Sequence, residues 1–191
     1  MGKVNLVLNI FLICAVGFLI FRQHVIVESV KIIGKSKTQY FATTNDGRLV
    51  QMIPLDQPLV SETSLLSWVQ TVSIETLSLN SNNYHKSLLE SSTNYTKKGW
   101  NSVTSWLHER YIIHDIKNKK ITLKASALSG PRVISEENVS GRYQWIIDMP
   151  IVLKLGDNET KYNLNIMVVR ASSLESVSGV AIEKITFSRV I

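Results

Sequence analysis

Three hydrophobic periods succeed one another along the chain. The first is unbroken: Val4 to Phe21, "VNLVLNIFLICAVGFLIF", is 18 residues without a charge, and its strongly polar residues, Asn5 and Asn9, lie near its start. At about 1.5 Å per residue it reaches about 27 Å, close to a hydrocarbon core of roughly 30 Å, and predicts a transmembrane helix over 4–21. The run is long for a signal-peptide core and "FRQHVIVESV" follows it where a small-residue cleavage site would stand; Cys14 lacks the small residues that precede a lipoprotein cysteine. The reading is therefore an uncleaved anchor, with residues 1–3 as a short cytoplasmic N-terminus. Residues 22–37 are a stem rich in β-branched residues, into which the helix of the span can continue, and Gly34-Lys35-Ser36 is its linker.

The second stretch is short and extended. Residues 39–53 read as two strands around Asn45-Asp46-Gly47, since Asx-Gly between apolar runs is a strong hairpin signal. Pro54 and Pro58 stop the second strand. A helical period follows. Ser61 is an N-cap, and Leu65, Trp68, Val69, Val72 and Leu79 share one face. "NSNN" at 80–83 breaks the pattern. A second helix offers Tyr84, Leu88, Leu89 and Tyr95. Thr96 caps a third, with Trp100, Val103, Leu107 and Tyr111 on one stripe.

After about residue 119 the period becomes two. In "KITLKASAL", Ile121, Leu123, Ala125 and Ala127 alternate with Lys120, Thr122, Lys124 and Ser126, as in a half-buried antiparallel strand. "GRYQWIIDMPIVLKL" is a long strand in which Pro150 must lie at an edge or a bulge, because it cannot donate to a ladder. Tyr162, Leu164, Ile166 and Val168 line the next strand, and "VAIEKITFSRV" is the last. Helices first and strands afterwards predict an α+β domain over 38–191, about three helices on a curved antiparallel sheet of about four strands.

Charge changes the picture in two ways. Residues 1–37 carry Lys3, Arg22, Lys31, Lys35 and Lys37 against Glu28, a net +4, whereas residues 38–191 carry 16 basic and 14 acidic residues, a net +2. The nearly neutral domain argues against direct nucleic-acid binding, and the basic stem suits anionic headgroups. The excess of basic residues after the span also places the large domain in the cytoplasm by the positive-inside rule, a rule that long translocated domains escape. The lone Cys14 excludes an intrachain disulfide.

Candidate chemistry is sparse. "GKS" at 34–36 has Ser29 where a phosphate loop needs its first glycine. His24, His85, His108 and His114 have no zinc spacing, and no nucleophile has a placed base. Asp148, in an apolar strand, would be a base only in a cavity; the alternation places it opposite Ile147, on the exposed face. Asn94, Asn138 and Asn158 begin N-x-[ST] triplets, for which chance is the default. Trp68, Trp100 and Trp145 fall on apolar faces, while Trp106 lies beside its stripe and reads as a surface anchor. No catalytic, cofactor or metal site is expected.

The separated segments "YFATTNDGRLVQMIPLDQP", "LLSWV", "GW" and "GRYQWIIDMPI" together resemble the IcmL/DotI family of type IVB secretion systems, with its TraM-type relatives in conjugation. The resemblance rests on Tyr40-Phe41-Ala42-Thr43-Thr44 with Asp46-Gly47, Pro54-Leu55 with Gln57-Pro58, Trp68, Gly99-Trp100, Gly141-Arg142-Tyr143 with Trp145, and Met149-Pro150. It spans about residues 38–155 and implies a single-pass inner-membrane protein with a periplasmic domain of cystatin-like or nuclear-transport-factor-like fold. It also implies homo- or hetero-oligomers with other secretion subunits, and no enzymatic activity, cofactor or small-molecule substrate. The hairpin and the helical face near Trp106 are the expected interfaces. The alternative is a membrane-anchored small-ligand binder or enzyme of the same cone-shaped fold. A pilin would carry a glutamate early in the span, and none stands between Val4 and Phe21.

Overall fold

The computed structural model describes residues 40–43, 49–172 and 175–190, with the backbone alone for 40–43 and 49–52. The predicted span, the stem and the Asn45-Asp46-Gly47 turn lie outside the described residues. The chain divides into two units, Met1–Met52 and Ile53–Ile191. In the first, β1 (Tyr40–Thr43) pairs antiparallel with β2 (Leu49–Met52), Tyr40 opposite Met52 and Thr43 opposite Leu49. The two strands of the expected hairpin are therefore paired.

The second unit begins with an irregular segment, Ile53 to Val60, and then four helices. Ser61 caps α1 (Glu62–Thr76), its hydroxyl accepting from the Ser64 N–H at 3.2 Å. Leu79, expected on that helix, lies beyond its end and exchanges two backbone hydrogen bonds with Leu123. α2 (Tyr84–Ser92) is short and exposes Leu89; Tyr95 stands outside it. Thr96 caps α3 (Lys97–Glu109) through the Gly99 N–H at 3.1 Å.

The expected third helix does not run on through Tyr111. That residue adopts φ 57, is 70% exposed, and separates α3 from α4 (Ile112–Lys119). The left-handed residue re-aims the chain so that Ile112 and Ile116 reach the core. No glycine or proline marks the break, so the apolar period read straight across it.

Five strands follow: β3 (Leu123–Ala127), β4 (Arg132–Val139), β5 (Arg142–Leu155), β6 (Asn158–Arg170) and β7 (Val180–Arg189). All pairs are antiparallel, in the order β3-β5-β6-β7, with β4 pairing β5 on the side that β3 also uses. The expectation of four strands missed β4, "RVISEENV". It is exposed along nearly its whole length and has no buried face to impose a period of two.

β3 and β4 lie end to end along β5, and Pro150 sits at the gap between them. β3 pairs from Ile151 onward and β4 up to Asp148. The Pro150 carbonyl accepts from the Leu128 N–H at 2.9 Å, so its nitrogen faces the same gap. Its missing N–H therefore costs no ladder bond, although β5 is otherwise an interior strand.

Alternation builds the core. Trp145, Ile147, Met149, Ile151 and Leu153 of β5 and Tyr162, Leu164, Ile166 and Val168 of β6 are buried on one face. Leu65, Val69 and Val72 of α1, Val103 and Leu107 of α3, and Ile112 and Ile116 of α4 join the same cluster. The β7 edge is covered: the Thr96 N–H donates to the Ile182 carbonyl, the Ile182 N–H to the Asn94 carbonyl, and the Ile185 N–H to Ser102. Ser78 and Leu79 cover the start of β3. β4 pairs only with β5 among the described strands.

Gly99 fixes the approach of α3 to the sheet. A Cβ there would lie 2.0 Å from the Ile182 carbonyl oxygen. Gly99→Ala is expected to push the helix off β7 and cost roughly 3 kcal/mol or more, at the upper end of overpacking effects. Chemical denaturation reads that loss; a wild-type midpoint would contradict the close contact.

Candidate docking site

The second half of the diagnostic motif, "IPLDQP" at 53–58, is held by one side chain. Arg170 is the last residue of β6, faces inward by alternation, and is only 3% exposed. Its Nε donates to the Gln57 carbonyl at 3.0 Å and its Nη2 to the Ile53 carbonyl at 3.3 Å. Its Nη1 donates to the Gly179 carbonyl. The guanidinium is thus a fork with two bonds to the Ile53–Val60 strap and one to the turn before β7.

Other donors complete the attachment. The Tyr143 N–H reaches the Leu55 carbonyl at 2.7 Å, and the Asn138 side-chain amide reaches the Asp56 carbonyl at 3.3 Å. The Arg142 Nε donates to the Arg170 carbonyl, and its Nη2 to Glu175 at 3.1 Å. A proline-interrupted strap makes no ladder, so these donors satisfy carbonyls that would otherwise be stranded.

Among the described residues no carboxylate is paired with Arg170. Burial pulls its guanidinium below the ordinary arginine range. The cation is balanced by carbonyl dipoles instead of a counter-ion, which makes those bonds hard to replace with a shorter or neutral side chain. Gly179, at φ 70, allows the geometry: a Cβ there would lie 2.4 Å from Leu59 Cδ2 and 3.1 Å from Arg170 Nη1.

Asp148 is not exposed as expected. It is 7% exposed, with one carboxylate oxygen accepting from Asn163 and the other from Arg132 at 3.1 Å. It does lie opposite Ile147, on the face away from the helices, but its neighbours across the strands, Arg132 of β4 and Asn163 of β6, close over it. Both oxygens are engaged, so the group is a structural acceptor rather than a free base.

Trp106 also departs from its expected place as a surface anchor. Its ring is stacked on Phe187 at 3.9 Å and 9°, with Tyr162 edge-on at 5.6 Å. Trp145 is buried, whereas Trp68 and Trp100 are half-buried against the core. His85, His108 and His114 are exposed. Among the described residues no group of three His, Cys, Asp or Glu side chains converges as metal ligands.

A hollow of about 380 Å³ is lined by Glu75 of α1, by Ser87, Glu90 and Ser91 of α2, and by Ser78 and Asn94 in the loops that follow them. The sheet's helix-facing side, where a cone-shaped fold would place a ligand, is filled: Ile147, Met149, Ile151, Leu164 and Ile166 are at most 1% exposed.

Sequence reading missed Arg170. The available signal was "NIMVVRASS", an arginine ending an apolar strand, together with a proline-rich segment that needs donors from elsewhere.

Four helices and one five-stranded antiparallel sheet make the second unit an α+β domain. The sequence profile of the DotI/IcmL family, described as a type-IV b secretion system, inner-membrane complex component, matches residues 10–189, and the chain belongs to that family. Among curated proteins the sequence comparison finds no match. Solved structures show the same fold. The periplasmic domain of DotI (crystal form I) is 24% identical with a TM-score of 0.64, over 70% of this chain and 99% of that one. A periplasmic fragment of TraM is 17% identical with a TM-score of 0.65, over 68% and 98%. An IcmL-like type IV secretion system protein from Legionella pneumophila is 19% identical with a TM-score of 0.54, over 69% and 95%.

Arg170→Met is expected to release the strap and lower stability by about 2–4 kcal/mol, since three charge-assisted bonds are lost, two of them the arginine's hold on the strap. The specific readout is amide exchange at Tyr143, whose N–H depends on the strap carbonyl of Leu55. Exchange there should accelerate more than at Ile147; uniform acceleration would contradict the clamp. Asp148→Asn keeps one acceptor, enough for Arg132 or Asn163 but not both as they stand, and a flip of the Asn163 amide would turn its own oxygen to the new NH2; the variant is expected to stay within about 2 kcal/mol of the parent by thermal unfolding, whereas Asp148→Leu, which keeps no acceptor, should lose more.

Proposed function

We propose that the chain is a non-enzymatic structural subunit of a type IVB secretion or conjugation apparatus. It is anchored in the inner membrane by residues 4–21 and displays residues 38–191 in the periplasm. There it assembles with copies of itself or with other secretion subunits and supports transfer of DNA or effector protein. The family match over residues 10–189 carries this reading, because it includes most of the uncharged run as well as the folded domain. The solved DotI and TraM relatives are periplasmic pieces. Their likeness supports a periplasmic domain here against the basic excess on the C-terminal side of the span.

The mechanism is positional. Motion of the membrane-linked chain reaches the domain through residues 53–60, and Arg170, Tyr143 and Asn138 hold that strap by its carbonyls. The packed inner face of the sheet favours this reading over a small-ligand binder or enzyme of the same fold.

A reporter enzyme that is active only in the periplasm, fused after Ile191, should be active. A stable but inactive fusion would overturn the orientation. The full chain, solubilised in mild detergent, should co-purify with itself or with other secretion subunits. A strictly monomeric chain that is dispensable for transfer would sink the assembly role.

A further inference from the structure

The two ends of β5 carry unpaired charge of opposite sign. At its first end, where β4 turns into it, Glu136 and Glu137 sit on the β4 edge opposite Trp145 and Gln144, and Asp56 lies against Asn138. All three acids are exposed and in none of the described ion pairs; the nearby Arg142 is already paired with Glu175. Leu55 (36% exposed) and Val139 (43%) lie among them.

At the other end the sign reverses. Lys124 stands directly opposite Lys154 across the β3–β5 pair, and Lys161 is diagonal to Lys154 on β6. Lys120 ends α4 beside them. These four lysines are exposed and in none of the described ion pairs; the acids nearest them are Asp157 of the β5–β6 turn and Glu159 of β6. Lys154 also stands directly opposite Glu159 on β6, so this end is a mixed cluster in which the four lysines exceed Asp157 and Glu159 by two charges. Val190, 51% exposed, adds an apolar contact; its N–H donates to the Lys161 carbonyl.

We propose that these two ends are the two halves of one interface between copies of this chain, the acidic β4–strap end of one subunit docking on the lysine end of the next. The proposal rests on the self-assembly reading above and specifies its surfaces. Charge complementarity around an apolar centre is the composition of a specific interface. In an antiparallel two-fold pairing the residue at the axis faces its own copy, so a β4 pairing centred on Glu136 or on Glu137 would set like charges directly against each other. The acids therefore disfavour a symmetric β4 dimer and favour head-to-tail contact, which closes into a ring when the rotation permits. An anionic membrane surface would meet the lysine end alone and leave the acidic end without a role.

Zero-length carbodiimide cross-linking of the full chain in detergent tests this. From Trp145, the partner of Glu136, to Lys154 is nine residues of strand, about 30 Å at roughly 3.3 Å per residue, so a bond between the two ends must join different subunits. Mass spectrometry should find Glu136 or Glu137 peptides joined to Lys124 or Lys154 peptides. Reversal at one end, E136K/E137K or K124E/K154E, should weaken self-association about tenfold. The combined reversal should restore it.

Oligomers that cross-link elsewhere, or that neither reversal disturbs, would overturn this interface while leaving the assembly role intact. A strictly monomeric chain would overturn both. Lysine-end binding to anionic vesicles by a chain whose copies do not join end to end would also overturn it. The wild-type cross-link map decides the question even where a reversed strand fails to fold.

Discussion

A buried guanidinium that no carboxylate pairs among the described residues organises the strap end of this domain. Arg170 joins the strap, the end of β6 and the turn before β7 through three backbone carbonyls. A single arginine can do this because its donors fan out in a fixed plane, and because each carbonyl is already fixed by secondary structure or by proline. Were the strap to detach, the cation would keep only the Gly179 bond, and the Arg170 and Tyr143 N–H donors would lose their acceptors. The strap's conformation and the folding of the domain are coupled for that reason.

The rest of the fold gives this clamp a rigid base. The inner face of β5 and β6 is packed against α1, α3 and α4, and Gly99 lets α3 lie in direct contact with the β7 backbone. The β7 edge and the start of β3 are covered by the chain itself, whereas β4 carries glutamates on its outer edge. Charged edge residues are a common means of discouraging indiscriminate strand pairing.

Much of this was legible in the sequence wherever burial enforced a period. The caps at Ser61 and Thr96, the alternation of β5 and β6, and the hairpin strands follow from one-face burial or short-range chemistry. β4 was not legible because neither of its faces is buried, and it forms by pairing with β5. The break at Tyr111 was hidden because a left-handed non-glycine residue leaves no compositional mark. Asp148 misled for a subtler reason: the side of the sheet it occupies was right, but Arg132 and Asn163, distant in sequence, cover it. Arg170 belongs to the same class, since its acceptors lie 113 and 117 residues away. The family resemblance singled out "PLDQP" by its residues; the structure shows that its backbone carbonyls are what the domain holds.

If the subunit works by position as proposed, the strap attachment should matter to transfer beyond the stability it contributes. The most direct measurement is DNA or effector transfer by cells whose own copy is replaced by Arg170→Met, compared with a core variant of equal stability loss such as Leu107→Ala, at matched protein levels. The account predicts that the core variant transfers and the Arg170 variant does not. Equal transfer by the two variants would contradict it.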